Sequence, residues 1–263
     1  MNSISPILNI MIKACEKASK VIIRDFGEIE NLQVKKKGPK DFVTKTDKRV
    51  EKILIEELEK SKKNYSFITE ETGIINKSDT DNFWIIDPID GTTNFIHGIP
   101  IFSIVLAKIR NNEITDGVIF NPITNDFYWT SKGAGAWCNN TRLRVSKRQH
   151  LSECIIGTGI PHLGRTYDGY LQEIDQITKK CSGLRRIGSA ALDLAYVAAG
   201  KLDAFWERNL NLWDIGAGVL LIKEAGGKVT EPSGKPWTLK SKDILASNSK
   251  LHDEIKKKLV ISK

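Results

Sequence analysis

Cysteine and histidine are scarce and scattered in this chain, with four of each among 263 residues. Cys15, Cys138, Cys154 and Cys181 form no Cys-x-x-Cys, which excludes the common zinc and dithiol patterns. They read as reduced thiols packed inside the protein. His97, His150, His162 and His252 never fall three or four residues apart, which excludes a zincin-type helix. His97 reads as a surface or supporting residue. Long apolar runs are also missing, so no membrane span is expected. Lys13, Glu16 and Lys17 interrupt the apolar N-terminal stretch, so no secretory signal is expected and a cytoplasmic location is the default. Nor is there an excess of acid: the formal charge is +8, from 40 basic and 32 acidic residues. The lysines are spread over 35–37, 60–63 and 256–258 without interleaved aromatics, as on a solvated surface. Hydrophobic content of 40% and charged content of 27% fit a globular protein with a sizeable core.

The periodicity alternates between helix and strand. Ile4, Ile7, Leu8, Met11, Ile12, Cys15, Ile22 and Phe26 recur at helical spacing and predict a long helix over 3–28. Gly38-Pro39 breaks the chain. A second helix follows through Val50, Ile53, Leu54 and Leu58, with Thr46 or Asp47 as its cap. Strands are expected at 66–70, 83–87, 101–109, 113–120 and 126–131, with turns at Asn111-Asn112, Thr124-Asn125 and Asn139-Asn140. Beyond 150 the pattern gives strands at 153–158, 202–207 and 243–247. Helices are expected at 167–180, from Ser189 to Gly200, at 213–225 and at 250–260. Two parts are expected, residues 1–150 and 151–263. The fold class is mixed α and β in layers.

The most informative stretch is 84–97, Trp-Ile-Ile-Asp-Pro-Ile-Asp-Gly-Thr-Thr-Asn-Phe-Ile-His. Phe83 to Ile86 reads as a buried strand ending in Asp87, since Pro88 has no N–H for a central ladder. Gly91 and two threonines then open a helix. Carboxylates at Asp87 and Asp90 supply hard oxygen ligands, and amides beyond Gly91 can receive phosphate oxygens. Asp-x-Asp on a strand would put both acids on one face, as aspartyl-phosphate chemistry requires. Asp-x-x-Asp with a proline inside reads instead as a metal-binding turn.

This string resembles the signature of the inositol monophosphatase family of Mg²⁺-dependent phosphatases. Residues 213–227, Trp-Asp-Ile-Gly-Ala-Gly-Val-Leu-Leu-Ile-Lys-Glu-Ala-Gly-Gly, look like the family's C-terminal motif, and Thr69-Glu70-Glu71 like its Glu-Glu motif. The three occur in the family's order, and the resemblance covers nearly the whole chain. It implies a five-layer αβαβα sandwich, usually dimeric. It implies that Glu70, Asp87 and the Ile89 carbonyl hold one Mg²⁺, that Asp87, Asp90 and Asp214 hold a second, and that a weaker third lies near Glu70. By the same resemblance, Thr92 positions a metal-activated water for in-line attack on a phosphomonoester, Asp47 orients Thr92, and Glu70 helps activate the water. Asp90, Gly91, Thr92 and Asp214 then also line the substrate pocket. Gly188, Ser189 and Ala190 match its loop, and Glu207, seven residues before Asp214, matches a residue that binds inositol hydroxyls. Asn211 and Leu212 sit at a variable position. Inositol monophosphate or a related sugar phosphate is the implied substrate. Fructose 1,6-bisphosphate, 3′-phosphoadenosine nucleotides and histidinol phosphate are alternatives. Sensitivity to Li⁺ is implied as well. Bacterial members similar around residues 185–194 can bind RNA polymerase or its elongation factors, so a transcription partner is a further expectation.

Overall fold

The computed structural model describes residues 4–28, 34–37, 41–160 and 169–259. The Gly38-Pro39 break, His162 and the outermost residues of three expected helices lie outside them.

The chain begins with helix α1 (Pro6–Gly27), started by Ser5, whose hydroxyl accepts from the Leu8 amide at 3.1 Å. A hairpin of β1 (Val34–Lys37) and β2 (Asp41–Thr44) leads into α2 (Lys45–Ser61). The expected cap at Thr46 or Asp47 is corrected here, because α2 starts at Lys45 and both residues fall within its first turn. The Thr46 hydroxyl instead donates to buried Asp25 at 2.7 Å and ties the end of α1 to the start of α2.

Next come β3 (Tyr65–Thr69), β4 (Gly73–Ile75) and β5 (Asp79–Asp90), then the short helix α3 (Thr92–Ile96). An antiparallel run follows: β6 (Ser103–Arg110), β7 (Glu113–Asn121), β8 (Asp126–Ser131), β9 (Gly135–Cys138) and β10 (Thr141–Arg142). Asn111, Asn112, Asn125 and Asn139 all have positive φ, as the expected turns require. These strands form one eight-stranded sheet in the order β10-β9-β8-β7-β6-β5-β3-β4.

The rest of the chain supplies β11 (Ile155–Thr158), α4 (Tyr170–Thr178), β12 (Gly183–Arg185), α5 (Ala190–Ala198), β13 (Ala204–Glu207), α6 (Leu212–Glu224), β14 (Gly227–Thr230), β15 (Ile244–Asn248) and α7 (His252–Leu259). Its five strands form a second sheet in the order β12-β11-β13-β15-β14.

Alternation along the strands stacks these pieces into five layers. Trp84, Ile86, Ile104 and Leu106 face α1 and α2 in one core, while Ile85, Val105 and Ala107 face α5 and α6 in another. Phe205 and Ala246 of the smaller sheet close that central core from its far side. Ala204, Trp206 and Leu245 turn the other way, toward Ile177 of α4 and Ile255 of α7. The result is the αβαβα sandwich the resemblance implies. With helices on both faces, central strands are buried on both sides, which is why 83–86 reads as an unbroken apolar run. Among the described residues no helix is long and apolar enough to cross a membrane. All four cysteines are free thiols, with Cys15 and Cys154 buried.

One strand boundary is corrected. β5 does not stop at Asp87 but runs through Pro88 to Asp90. Asp87 pairs with Val105 and Asp90 with Ser103, so β5 carries one more residue than β6 across this step. The bulge gives proline a place where no ladder N–H is needed.

Candidate active site

The bulge in β5 builds the site. In a regular strand, side chains three residues apart point to opposite faces. One extra residue restores the parity, so Asp87 and Asp90 turn the same way. Asp214, in the first turn of α6, meets them there, and one carboxylate oxygen from each of the three lies within 4.8 Å of the others.

Each acid is held by its own scaffold. Asp90 Oδ2 accepts from the Ser189 hydroxyl and from the Ala191 amide, the latter at 2.8 Å. Asp214 closes a capping box with Asn211, accepting from the Asn211 amide at 2.7 Å. Asp87 is 1% exposed and its Oδ1 has no hydrogen-bond partner. Glu70 follows β3, and its amide donates to the Ile86 carbonyl at 3.2 Å, which sets it beside Asp87 on the neighbouring strand.

So many acids in one place resist ionisation. Burial, then the charges of Asp214 and Asp47, push Glu70 up to about 8. Burial pushes Asp87 well above the usual carboxylate range, with Glu70, Asp90 and Asp214 adding to it. Burial raises Asp90 to about 6 against the hydrogen bonds from Ser189 and the α5 amides. A divalent cation would reverse all three effects. An orphaned buried carboxylate oxygen among hard oxygen donors fits a cation such as Mg²⁺.

Gly91 sets the turn out of β5. Its φ is +95°, and a Cβ there would meet the Ile101 carbonyl at 3.0 Å and the Gly188 carbonyl at 3.2 Å. The Thr92 hydroxyl donates to the Ile89 carbonyl at 2.9 Å. Glu70, Asp87, Ile89, Asp90, Gly91, Thr92, Gly188, Ser189, Ala190, Glu207 and Asp214 all line one open cleft. Asp47 stands behind that wall, 2% exposed, with its charge felt by Glu70. His97 is exposed at the end of α3.

Sequence reasoning missed several supporting residues. Glu51, 1% exposed in α2, accepts from the amides of Glu71 and Thr72 at 2.8 and 2.9 Å, and from the Thr72 hydroxyl at 2.6 Å. It anchors the turn that carries Glu70. The available signal was an acid on the apolar face of α2, four residues from Asp47. The Asn94 amide donates to the carbonyls of Ile101 and Ile187 at 2.8 and 2.9 Å, joining α3 to the loop before α5. Arg186, Thr158, Gly159 and Asp193 also line the cleft. Asp193 was legible as a lone acid within an otherwise apolar helix.

A family model described as the inositol monophosphatase family matches residues 3–263. The chain belongs to the inositol monophosphatase family. It is 48% identical over 245 residues to an inositol-1-monophosphatase of Mesorhizobium japonicum, covering 93% of this chain and 92% of that one. It is 39% identical over 250 residues to a protein of Pseudomonas aeruginosa named Nus factor SuhB, covering 93% and 92%. The crystal structure of the extragenic suppressor protein suhB from Bartonella henselae superposes with a TM-score of 0.95 at 43% identity, covering 98% of this chain and all of that one. As a member of this family the chain is a phosphatase, with an acidic cluster able to hold a metal ion.

Proposed function

We propose that the chain hydrolyses inositol monophosphate, or a related sugar phosphate, in a Mg²⁺-dependent reaction. The observation that carries this is the convergence of Asp87, Asp90 and Asp214, with Oδ1 of buried Asp87 left without a hydrogen-bond partner. Two to three Mg²⁺ ions per subunit would be held by Glu70, Asp87, the Ile89 carbonyl, Asp90 and Asp214. When bound, they supply Lewis-acid polarisation of the phosphoryl group and acidify water. The four carboxylates, about −4 in total, balance the charge of two such ions.

The chain's own residues do the rest. The Thr92 hydroxyl gives its proton to the Ile89 carbonyl and so offers only lone pairs to the cleft. It orients the attacking water by accepting from it, with Asp47 supporting this arrangement. Glu70, ionised once a bound cation offsets the burial and the neighbouring acids that raise it, would take the proton that the water releases. Gly91 and Thr92 present amides to the phosphate, while Gly188, Ser189 and Ala190 form the pocket wall. Glu207 accepts hydrogen bonds from substrate hydroxyls. A phosphate-release panel, with and without Mg²⁺, tests this using inositol 1-phosphate, fructose 1,6-bisphosphate, a 3′-phosphoadenosine nucleotide and histidinol phosphate. Inositol 1-phosphate is expected to lead. A strong preference for the nucleotide would overturn the choice of substrate and leave the metal chemistry standing.

The Nus-factor name of the Pseudomonas relative favours a second role, as a partner of RNA polymerase or an elongation factor. Co-sedimentation with RNA polymerase tests that role. We also expect a cytoplasmic homodimer, which sedimentation equilibrium would reveal.

A further inference from the structure

The cleft continues past the acidic cluster onto the smaller sheet. There Asp193, from the first turn of α5, and Glu207, at the end of β13, share one wall. The strand opposite them has been cleared of side chains. Gly157 lies in β11 and Gly159 just beyond its end, two residues apart and so on the same side of the strand. A Cβ on Gly157 would come within 2.6 Å of Asp193 Oδ1, and one on Gly159 within 1.9 Å of the Glu207 carboxyl carbon. Each glycine makes room for one of the two acids.

Asp193 has no evident structural purpose. It is 1% exposed, its Oδ1 has no hydrogen-bond partner, and α5 around it is almost wholly apolar. A buried carboxyl oxygen without a partner destabilises the fold, and such groups concentrate at working sites. It is also not among the three acids, Asp87, Asp90 and Asp214, whose carboxylates gather within reach of one cation.

We propose that Asp193 and Glu207, seated against Gly157 and Gly159, form a two-carboxyl wall that recognises adjacent hydroxyls of a polyol phosphate, with Asp193 a specificity-determining residue. This deepens the functional reading above and rests on it. Each hydroxyl of a vicinal diol both donates and accepts, so a carboxylate beside a carboxylic acid can satisfy both roles. Burial, then the charges of Glu207 and Asp90, push the Asp193 carboxyl well above the usual range, with Arg186 acting the other way. In its neutral form Asp193 is an O–H donor, set beside Glu207 as the acceptor.

The test compares kcat/KM for myo-inositol 1-phosphate with that for p-nitrophenyl phosphate, which has no hydroxyls, in the Mg²⁺-loaded enzyme. Asp193→Ala is expected to lower the ratio of the two by about tenfold, the size of one lost hydrogen bond. Asp193→Asn keeps a neutral donor and is expected to restore most of the ratio. Gly157→Ala, which pushes on the Asp193 carboxyl, should lower it as Asp193→Ala does. A merely structural residue would lower both rates together. A wild type that prefers inositol 1-phosphate, with the ratio unchanged in Asp193→Ala, overturns this inference and leaves the proposed function intact. A wild type without that preference overturns the substrate class and this inference with it.

Discussion

The Ser189 hydroxyl donates to Asp90, 99 positions earlier in the chain. The same hydroxyl accepts from the Leu192 amide at 3.3 Å as the N-cap of α5. One side chain therefore starts a helix of the central layer and aims an acid of the Asp87, Asp90 and Asp214 cluster. Ser189→Ala should cost about 1 kcal/mol of stability as a lost cap. It should also lower kcat/KM by freeing Asp90 to turn. Thermal unfolding and phosphate-release kinetics check the two halves. A drop in stability with full activity would mean that the amides of α5 suffice to hold Asp90.

Thr92 lies one residue past Gly91, with its hydroxyl proton committed to the Ile89 carbonyl. Thr92→Ala should lower kcat more than it raises KM, since orienting the water matters only as the reaction proceeds. The reverse pattern would reassign Thr92 to phosphate binding.

The layered fold was legible because buried strands and amphipathic helices carry strong periodic signals. Ile85 and Trp84 fall on opposite faces of β5, as alternation requires, yet both are apolar because both faces are covered. What escaped was short or depended on distant partners. β4, β9, β10, β12 and β14 are two to four residues each, too brief to show a period. Strand β5 was expected to end at Asp87 because a proline argues against a central strand. The sheet absorbs Pro88 in a bulge, a tertiary feature without a local signature. In the cleft, Asp87 and Asp90 stood out by their spacing, and Asp214 by its resemblance to a family motif. Glu51 and Asn94 did not, because their value lies in which backbone amides and carbonyls come within reach after folding.

His252 is fully buried at the start of α7, between the Ser247 hydroxyl at 2.7 Å and the Thr230 hydroxyl at 2.9 Å. Burial lowers it from 6.5 to about 4, helped by the Lys228 charge. The unfolded chain thus binds this proton more readily than the folded one. The stabilisation is complete above about pH 6.5 and is lost as pH falls toward 4. Thermal unfolding between pH 7 and 4 should show a decline that His252→Gln removes in part. An identical decline in the variant would place the acid sensitivity elsewhere.

Glu207→Ala should weaken hydrolysis of inositol 1-phosphate far more than that of p-nitrophenyl phosphate. The expected difference is about 1.5–3 kcal/mol, as for a hydrogen bond to a charged group. Activation by Mg²⁺ should keep its concentration dependence, because Glu207 is not a proposed ligand. Equal losses on both substrates would point to a structural role.

Mg²⁺ titration of phosphate release from inositol 1-phosphate, for the wild type and Asp87→Asn, tests the central claim most directly. Asp87 contributes the buried oxygen that lacks a partner, and its neighbours repel its charge. The wild type should be inactive without Mg²⁺ and should melt at higher temperature as Mg²⁺ is added. Asp87→Asn should remain folded, lose most activity at every Mg²⁺ concentration, and lose most of the Mg²⁺-dependent rise in melting temperature. Turnover by Asp87→Asn close to wild type at saturating Mg²⁺ would contradict the account.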